Sequence, residues 1–381
     1  MKELGYKIFA ILYRIFCIFC IFPLKKRQVF LVMTHDAGPE GNVAVLRDYM
    51  KELDKGYRFF ELRRLDTYFG KSLRKMWHFF VVDAYRLARS SYIFLDNMFL
   101  PMAYIHFRKE VKVVQLWHGT GVIKKIGADA NTGHLKELEY LANQNNTHLI
   151  VSSKTTKRIY QKSFSMGEAK VHITGMPRSD VFFQKDKQQM FLEHFYEEYP
   201  ELKGKKLVLY APTFRDWQVE NPKLAMDVEA FAKKLPKDVV LGLRLHPYVA
   251  RNYQFSAETK SVIDFSSYKS LNTLLFATSL LISDYSSIVF EYAALKRPMI
   301  FYAYDLENFE ENGRGFYWDY ENYVPGPVVK EEEELLEHIK TLLGMPFEEY
   351  DEQHHLSEFL EDTYQYMDGQ SVERIAQLLG L

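Results

Sequence analysis

The chain is poor in cysteine, with two thiols in 381 residues, Cys17 and Cys20. That excludes a small secreted fold stapled by disulfides. Their CxxC spacing is a weak redox or metal signal, because both lie in an apolar aromatic stretch without partner ligands. Acylation of membrane-proximal thiols is a second reading. An overall excess of positive charge is also missing: 49 Lys and Arg stand against 50 Asp and Glu. With no recognition motif beside the basic stretches, nucleic acid is not an expected partner. There is no P-loop, no G-x-G-x-x-G, no G-x-S-x-G and no kinase motif set. His134, His148 and His172 lack ligand spacing to cysteine or paired carboxylates, so no metal site and no firm cofactor is expected. No small-residue cleavage site follows the apolar amino terminus, which argues against a signal peptide.

What is there is an ordinary folded composition, 47% hydrophobic and 26% charged, long enough for two domains with full cores. The near-zero net charge hides an asymmetry. Residues 1–27 carry six basic side chains against Glu3, and residues 56–92 carry eight against three acidic ones. Positive charge gathered at one end suits an anionic surface.

Leu4 to Phe22 is almost wholly apolar, interrupted by Lys7 and Arg14. Seven residues apart, these two share a helical face, and Pro23 then ends the helix before Lys25, Lys26 and Arg27. The pattern predicts a helix lying in a membrane interface, with a core or oligomer helix as the alternative; a spanning helix would bury Arg14 in hydrocarbon. The block 56–92 has helical apolar spacing at Leu73, Met76, Trp77, Phe80, Val81, Ala84 and Leu87. It reads first as a domain helix with a solvated basic face, and alternatively as a second membrane-facing helix.

Strand-like runs recur at 29–33, 91–96, 111–117, 148–153 and 170–175. A second series follows at 206–213, 239–247, 279–284 and 298–304, with helical stretches between the runs. Alternation of this kind predicts α/β architecture with parallel sheets. The expected organisation is a membrane-associating segment 1–27 and two Rossmann-like doubly wound domains, 28–183 and 184–381, facing a cleft. The last helix, Ser371 to Leu379, could pack back on the first domain.

The most informative stretch is QLWHGTGVIKKIG, residues 115–127. It puts His118 at the carboxyl end of a strand, before a glycine turn, where α/β proteins place reactive groups. VVLGLRLHP puts His246, with Arg244 beside it, at a second strand end. YAPTFRDW supplies Pro212, Thr213 and Arg215, and GMPRSD supplies Arg178 as a diphosphate partner or a capping arginine. In SDYSSIVFEYAAL, Ser286 and Ser287 open a helix, either as a cap or as a phosphate contact, and Glu291 could accept ribose hydroxyls.

These motifs, in this order and with RGFYWDYENYVPGP, resemble the CDP-glycerol glycerophosphotransferase family of wall teichoic acid synthesis, over roughly residues 28–360. The resemblance implies a glycosyltransferase-B-like fold, peripheral attachment to the inner face of the cytoplasmic membrane of a Gram-positive bacterium, and transfer of glycerol or ribitol phosphate from a CDP-alditol to a lipid-linked acceptor. It implies His118 as base and His246 as the second essential histidine. Gly119, Thr120, Gly121, Arg178, Pro212, Thr213, Arg244, Leu245, Ser286, Ser287 and Glu291 would line the CDP-glycerol site. Lys124 and Lys125 are expected to form a solvated helix face or to meet the acceptor's lipid diphosphate, while Lys7, Arg14, Lys25, Lys26 and Arg27 would meet the membrane. Gly121 stands where many long polymerases carry proline, and their large amino-terminal extension is missing. Both point to the primase, which adds the first glycerol phosphate to an undecaprenyl-diphosphate-linked disaccharide and could contact other teichoic acid enzymes. The alternatives are a short chain extender and a sugar-nucleotide-dependent glycosyltransferase.

Overall fold

The computed structural model describes residues 2–18, 23–215, 224–251, 253 and 261–381. Cys20, and Asp216 and Trp217 of the YAPTFRDW motif, lie outside the described residues. The chain forms two compact units. The first comprises residues 1–120, 126–180 and 364–381; the second comprises 121–125 and 181–363.

Each unit is built on a six-stranded sheet, parallel throughout. In the first, strands β1 (Lys25–Met33), β2 (Arg58–Arg63), β3 (Ser90–Leu95), β4 (Lys112–Gln115), β5 (His148–Val151) and β6 (Val171–Ile173) run in the order 2-1-3-4-5-6. In the second, β7 (Lys206–Tyr210), β8 (Val239–Leu243), β9 (Val262–Asp264), β10 (Thr278–Ser283), β11 (Met299–Tyr302) and β12 (Val328–Val329) run in the order 12-11-10-7-8-9. Central strands such as VFLVM and VVLGL are apolar on both faces because helices cover both sides of a parallel sheet.

Side-chain alternation along β1 divides the first unit's core. Phe30 and Val32 point to one face, where they meet Phe9, Tyr13, Phe79 and Ile93. Val29, Leu31 and Met33 point to the other, where they meet Val43, Leu46, Val372, Ile375 and Leu379. The carboxyl-terminal helix Ser371–Leu379 is therefore part of the first unit's core. Its first N–H groups, on Ser371 and Val372, donate to the Asp180 carboxylate at 3.0 and 3.2 Å, which satisfies orphan donors at a helix start.

The amino-terminal stretch is a helix, Lys2–Ile18, with one side committed to protein. Phe9, Ala10 and Tyr13 are buried in the core, and Phe9 packs on Phe79 and Phe99. The outward side carries Leu4, Ile8, Ile11 and Ile15, exposed by 63, 40, 55 and 41%, with Lys7 and Arg14 exposed along one edge. The apolar surface open to solvent is thus narrower than the sequence pattern alone implies. Lys25, Lys26 and Arg27 do not trail from this helix; they open β1 as three exposed residues. The 56–92 block divides into β2 and a continuous helical run made of Leu73–Trp77, a π-helical turn His78–Asp83, and Ala84–Arg89. No helix among the described residues is long and apolar enough to cross a membrane.

Candidate active site

In the first unit, β4 ends in a sharply turned segment. Trp117 has a φ of 55°, a left-handed conformation that a bulky residue adopts only when its surroundings hold it there. Gln115 Oε1 accepts the Trp117 N–H at 2.9 Å, and Asn42 Nδ2 donates to the Trp117 carbonyl at 3.1 Å. The turn delivers His118, half-buried, with its Nδ1 2.8 Å from the main-chain oxygen of Asp96. A carbonyl oxygen only accepts, so Nδ1 carries a hydrogen, and in the neutral ring Nε2 carries the lone pair. The imidazole is thereby held in the tautomer that a general base requires.

Asp96, at the end of β3, is a double anchor. Its buried carboxylate accepts the N–H groups of Thr34, His35 and Asp36 at 2.9, 3.1 and 2.8 Å. Burial pushes its pKa up to about 6 against the pull of those three donors, so the group is ionised at neutral pH. The loop it holds carries His35, whose ring is stacked on His118 with centroids 3.5 Å apart and planes 16° apart. The Trp117 ring also lies against His118, at 4.0 Å.

Arg178 joins this group. Its backbone N–H donates to Asn42 Oδ1 at 3.0 Å, and its Nη1 donates to the His118 carbonyl at 2.8 Å and faces Asp36 Oδ2 at 3.5 Å. Gly119 and Thr120 are buried beneath. The Thr120 hydroxyl pairs with Ser179 Oγ at 2.9 Å, and the Thr120 carbonyl accepts from Ser152 Oγ at 2.8 Å. Those two residues hold the turn together.

Gly121 begins the short segment that belongs to the second unit. A Cβ there would lie 2.4 Å from Phe290 Cε1, closer than any real contact. Phe290 is itself stacked on Phe359, with centroids 5.2 Å apart. Glycine at this place follows from ring packing. Lys124 and Lys125 do not lie on a helix. Lys124 forms an antiparallel bridge with Phe316, Lys125 N–H donates to the Gly315 carbonyl, and Tyr317 N–H donates to the Ile123 carbonyl.

In the second unit, Pro212, Thr213, Leu245 and His246 line one pocket beside the ends of β7 and β8, with Phe214, Val249 and Tyr304. His246 is exposed and stacked on Phe214 at 4.6 Å. Thr213 Oγ1 is buried without a hydrogen-bond partner among the described residues, and its N–H donates to Asp284 Oδ1 at 2.8 Å. Arg215, 3% exposed, is pinned between two carboxylates: Nη1 to Asp284 at 2.9 Å, and Nε and Nη2 to Asp305 at 2.7 and 2.8 Å. This buried network ties the loops after β7, β10 and β11 together. Arg244 Nη1 donates to the carbonyls of Phe265, Ser266 and Tyr268 at 2.7, 3.2 and 2.6 Å, which fixes the loop after β9. Ser286 and Ser287 precede the six-residue helix Ile288–Ala293, with Ser287 exposed, while Glu291 is buried within it.

Residues 14–380 match the family described as CDP-Glycerol:Poly(glycerophosphate) glycerophosphotransferase. The chain belongs to this glycerophosphotransferase family. Its relatives divide between two kinds of enzyme at similar identity. It is 35% identical to the teichoic acid ribitol-phosphate primase of Bacillus spizizenii over 304 residues, 77% of this chain and 76% of the relative. It is 34% identical to the ribitol-phosphate polymerase TarL of Staphylococcus aureus over 374 residues, 94% of this chain and 63% of the relative. It spans only 57% of the length of the poly(ribitol-phosphate) polymerase of Bacillus spizizenii, at 31% identity. The family is therefore established at the level of glycerophosphotransferases, and these identities do not separate primase from polymerase.

The glycosyltransferase-B-like fold is shared with the solved wall teichoic acid polymerase TagF, with a TM-score of 0.79, 21% identity and coverage of 100% of this chain and 94% of that one. A UDP-N-acetylglucosamine 2-epimerase of Listeria monocytogenes, described as putative, has the same fold with a TM-score of 0.60 at 13% identity, covering 93% and 96%.

In this member of the family, Asp96, His35 and Asn42 stand in none of the motifs that marked the site in the sequence. The signal that marked His118 was present for His35, a strand-end histidine before a glycine-containing loop in VFLVMTHDAGPEG. Asp96 ends SYIFLD, a position where a carboxylate is placed to meet loop N–H groups. Asn42 carries no such mark, since its role depends on a loop brought from 136 residues away.

Proposed function

We propose that this protein transfers an alditol phosphate, in the first instance sn-glycerol 3-phosphate, from CDP-glycerol to the disaccharide on undecaprenyl diphosphate, and that it is a primase. The observation that carries the catalytic part is the fixed tautomer of His118, in a chain whose family is that of glycerophosphotransferases. An acceptor hydroxyl oxygen attacks the β-phosphorus in line and its proton passes to His118 Nε2. The bond from that phosphorus to the α-phosphate oxygen breaks, and CMP leaves with the electron pair. A neutral imidazole suits this proton transfer near neutral pH.

His246 is assigned to the leaving phosphate, as a hydrogen-bond or proton donor. Its place in the pocket with Pro212, Thr213 and Leu245 supports this reading, as does the buried Thr213 hydroxyl. Arg244, pinned on three carbonyls, acts by holding the loop after β9. Arg178 orients the His118 turn and carries positive charge toward the diphosphate. Glu291 and the Ser286-Ser287 pair remain candidate donor contacts, while Gly121 serves packing.

Attachment to an anionic membrane surface is part of the proposal. The outward face of Lys2–Ile18 offers Leu4, Ile8, Ile11 and Ile15 beside Lys7 and Arg14. Leu65, Tyr68, Leu73 and Trp77 are 65–79% exposed among Arg63, Arg64, Lys71, Arg74 and Lys75. Exposed apolar side chains interleaved with basic ones are what an interfacial surface needs.

The test is incubation with radiolabelled CDP-glycerol and the lipid-linked disaccharide, with the units added counted. One unit supports the primase reading; a ladder makes the protein an extender. Transfer from CDP-ribitol but not CDP-glycerol would reassign the donor, and transfer from a UDP-sugar would overturn the phosphotransferase reading.

A further inference from the structure

We propose that His35 is a positioning residue of the transfer reaction, its imidazole stacked on His118 so that a ring lies against the face of the base. The inference rests on the reading of His118 as the base.

The geometry is specific. The two rings lie almost parallel, 16° apart, with centroids 3.5 Å apart. Both depend on Asp96: its carbonyl oxygen takes the His118 Nδ1 hydrogen, and its carboxylate takes the His35 N–H and those of both neighbours. One residue thus sets the orientation of the base and the position of the ring against it.

The charges around His35 come from four elements. Asp36, next in the loop, favours the imidazolium; Arg178 and Arg64 oppose it; Asp96 lies beneath the loop backbone. Loss of surrounding water is the largest influence and lowers the His35 pKa below the ordinary histidine value. This favours the neutral ring at His35, although the residue keeps an exposed side. When His118 accepts the acceptor's proton, the new imidazolium meets the face of a neutral ring instead of a second cation. Two imidazolium rings in this stack would repel, as like charges sharing a site do.

The experiment compares the full-length wild type with His35→Ala, His35→Phe and His118→Ala, using ¹⁵N-histidine NMR titration and steady-state kinetics with CDP-glycerol. In His118→Ala, His35 is expected to titrate higher than in the wild type, because the competing ring is gone. His35→Ala is expected to lower kcat by roughly ten- to a hundredfold with little change in the KM for CDP-glycerol, and to alter the acid limb of the pH profile. His35→Phe keeps a ring on His118 and should recover most of kcat, a rescue that a merely structural loop residue would not show. An unchanged kcat and acid limb in His35→Ala, or a His35 titration indifferent to His118, overturns the proposal. Near-normal turnover in His118→Ala removes the base reading itself, and the titration coupling tells that failure apart from a failure of the stack.

Discussion

The main-chain oxygen of Asp96 accepts the Nδ1 hydrogen of His118 across 2.8 Å, while the carboxylate of the same residue holds the loop that carries His35. One residue at the end of β3 therefore orients, through its main chain, the imidazole at the end of β4 and, through its side chain, the loop beside it. Its titration should be visible in stability. The folded carboxyl binds its proton at about 6, against an ordinary 3.8. A raised carboxyl pKa means that the folded state binds more protons than the unfolded chain between those values, so stability from this group rises as pH falls from about 6 to 4. Asp96→Asn cannot titrate. The stability of the wild type relative to that variant should improve as pH is lowered from 7 to 4, by up to about 2–3 kcal/mol at roughly 1.4 kcal/mol per unit. Urea unfolding at several pH values measures it. A difference independent of pH contradicts the assignment.

Gly121 is explained by Phe290. Any Cβ at this position would lie 2.4 Å from the ring, which is stacked on Phe359 and has little room to move. Gly121→Ala should cost about 1–3 kcal/mol as an overpacking change, and Gly121→Pro at least as much. Adding Phe290→Leu to Gly121→Ala should recover part of the loss. Thermal unfolding checks both. A wild-type Tm for Gly121→Pro would show that the residue is a free choice rather than a steric one.

The network around Arg215 predicts a larger effect. Arg215→Met leaves the Asp284 and Asp305 carboxylates without their buried cation. Breaking a buried pair from one side costs about 3–5 kcal/mol. Restoring the charge with Arg215→Lys should recover only part, because lysine cannot match the forked contact to Asp305. Chemical denaturation of the three proteins orders them, and equal stability would contradict the role given to the network.

Much of this was legible in the sequence, and the gaps have physical causes. The central strands announced themselves as apolar runs because helices cover both faces of each sheet. β2, β9 and β12 did not, and all three are edge strands: RFFELR is heavily charged, VID has three residues and VV has two. An edge is bonded on one side and carries a weaker pattern. Strand-end histidines were readable because their position relative to a turn is local. The commitments of Arg215 and Arg244 to the fold were not, because each depends on loops distant in the chain. The helix-face alternative for Lys124 and Lys125 fails for the same reason; their pairing with Gly315 and Phe316 spans about 190 residues of sequence.

The outward face of Lys2–Ile18 makes a separate prediction. Ile8→Glu and Ile11→Glu change exposed residues and should leave the fold intact. Each removes an isoleucine worth roughly 1.5–3 kcal/mol when buried, so binding to phosphatidylglycerol vesicles should fall by at least tenfold per substitution. Phe9→Glu, by contrast, strikes the core and should lower Tm. Vesicle flotation at two salt concentrations measures binding and its electrostatic share, and undiminished flotation of the double variant would remove this surface as the membrane contact.

The central claim is that His118, held as the Nδ1–H tautomer, takes the acceptor's proton as an alditol phosphate leaves CMP. The most direct measurement is acceptor-dependent CMP release from CDP-glycerol by the wild type and by His118→Ala, with CDP-glycerol binding measured on both. The account predicts equal binding and a loss of release of at least about a hundredfold in the variant. Release by His118→Ala at near the wild-type rate would contradict it.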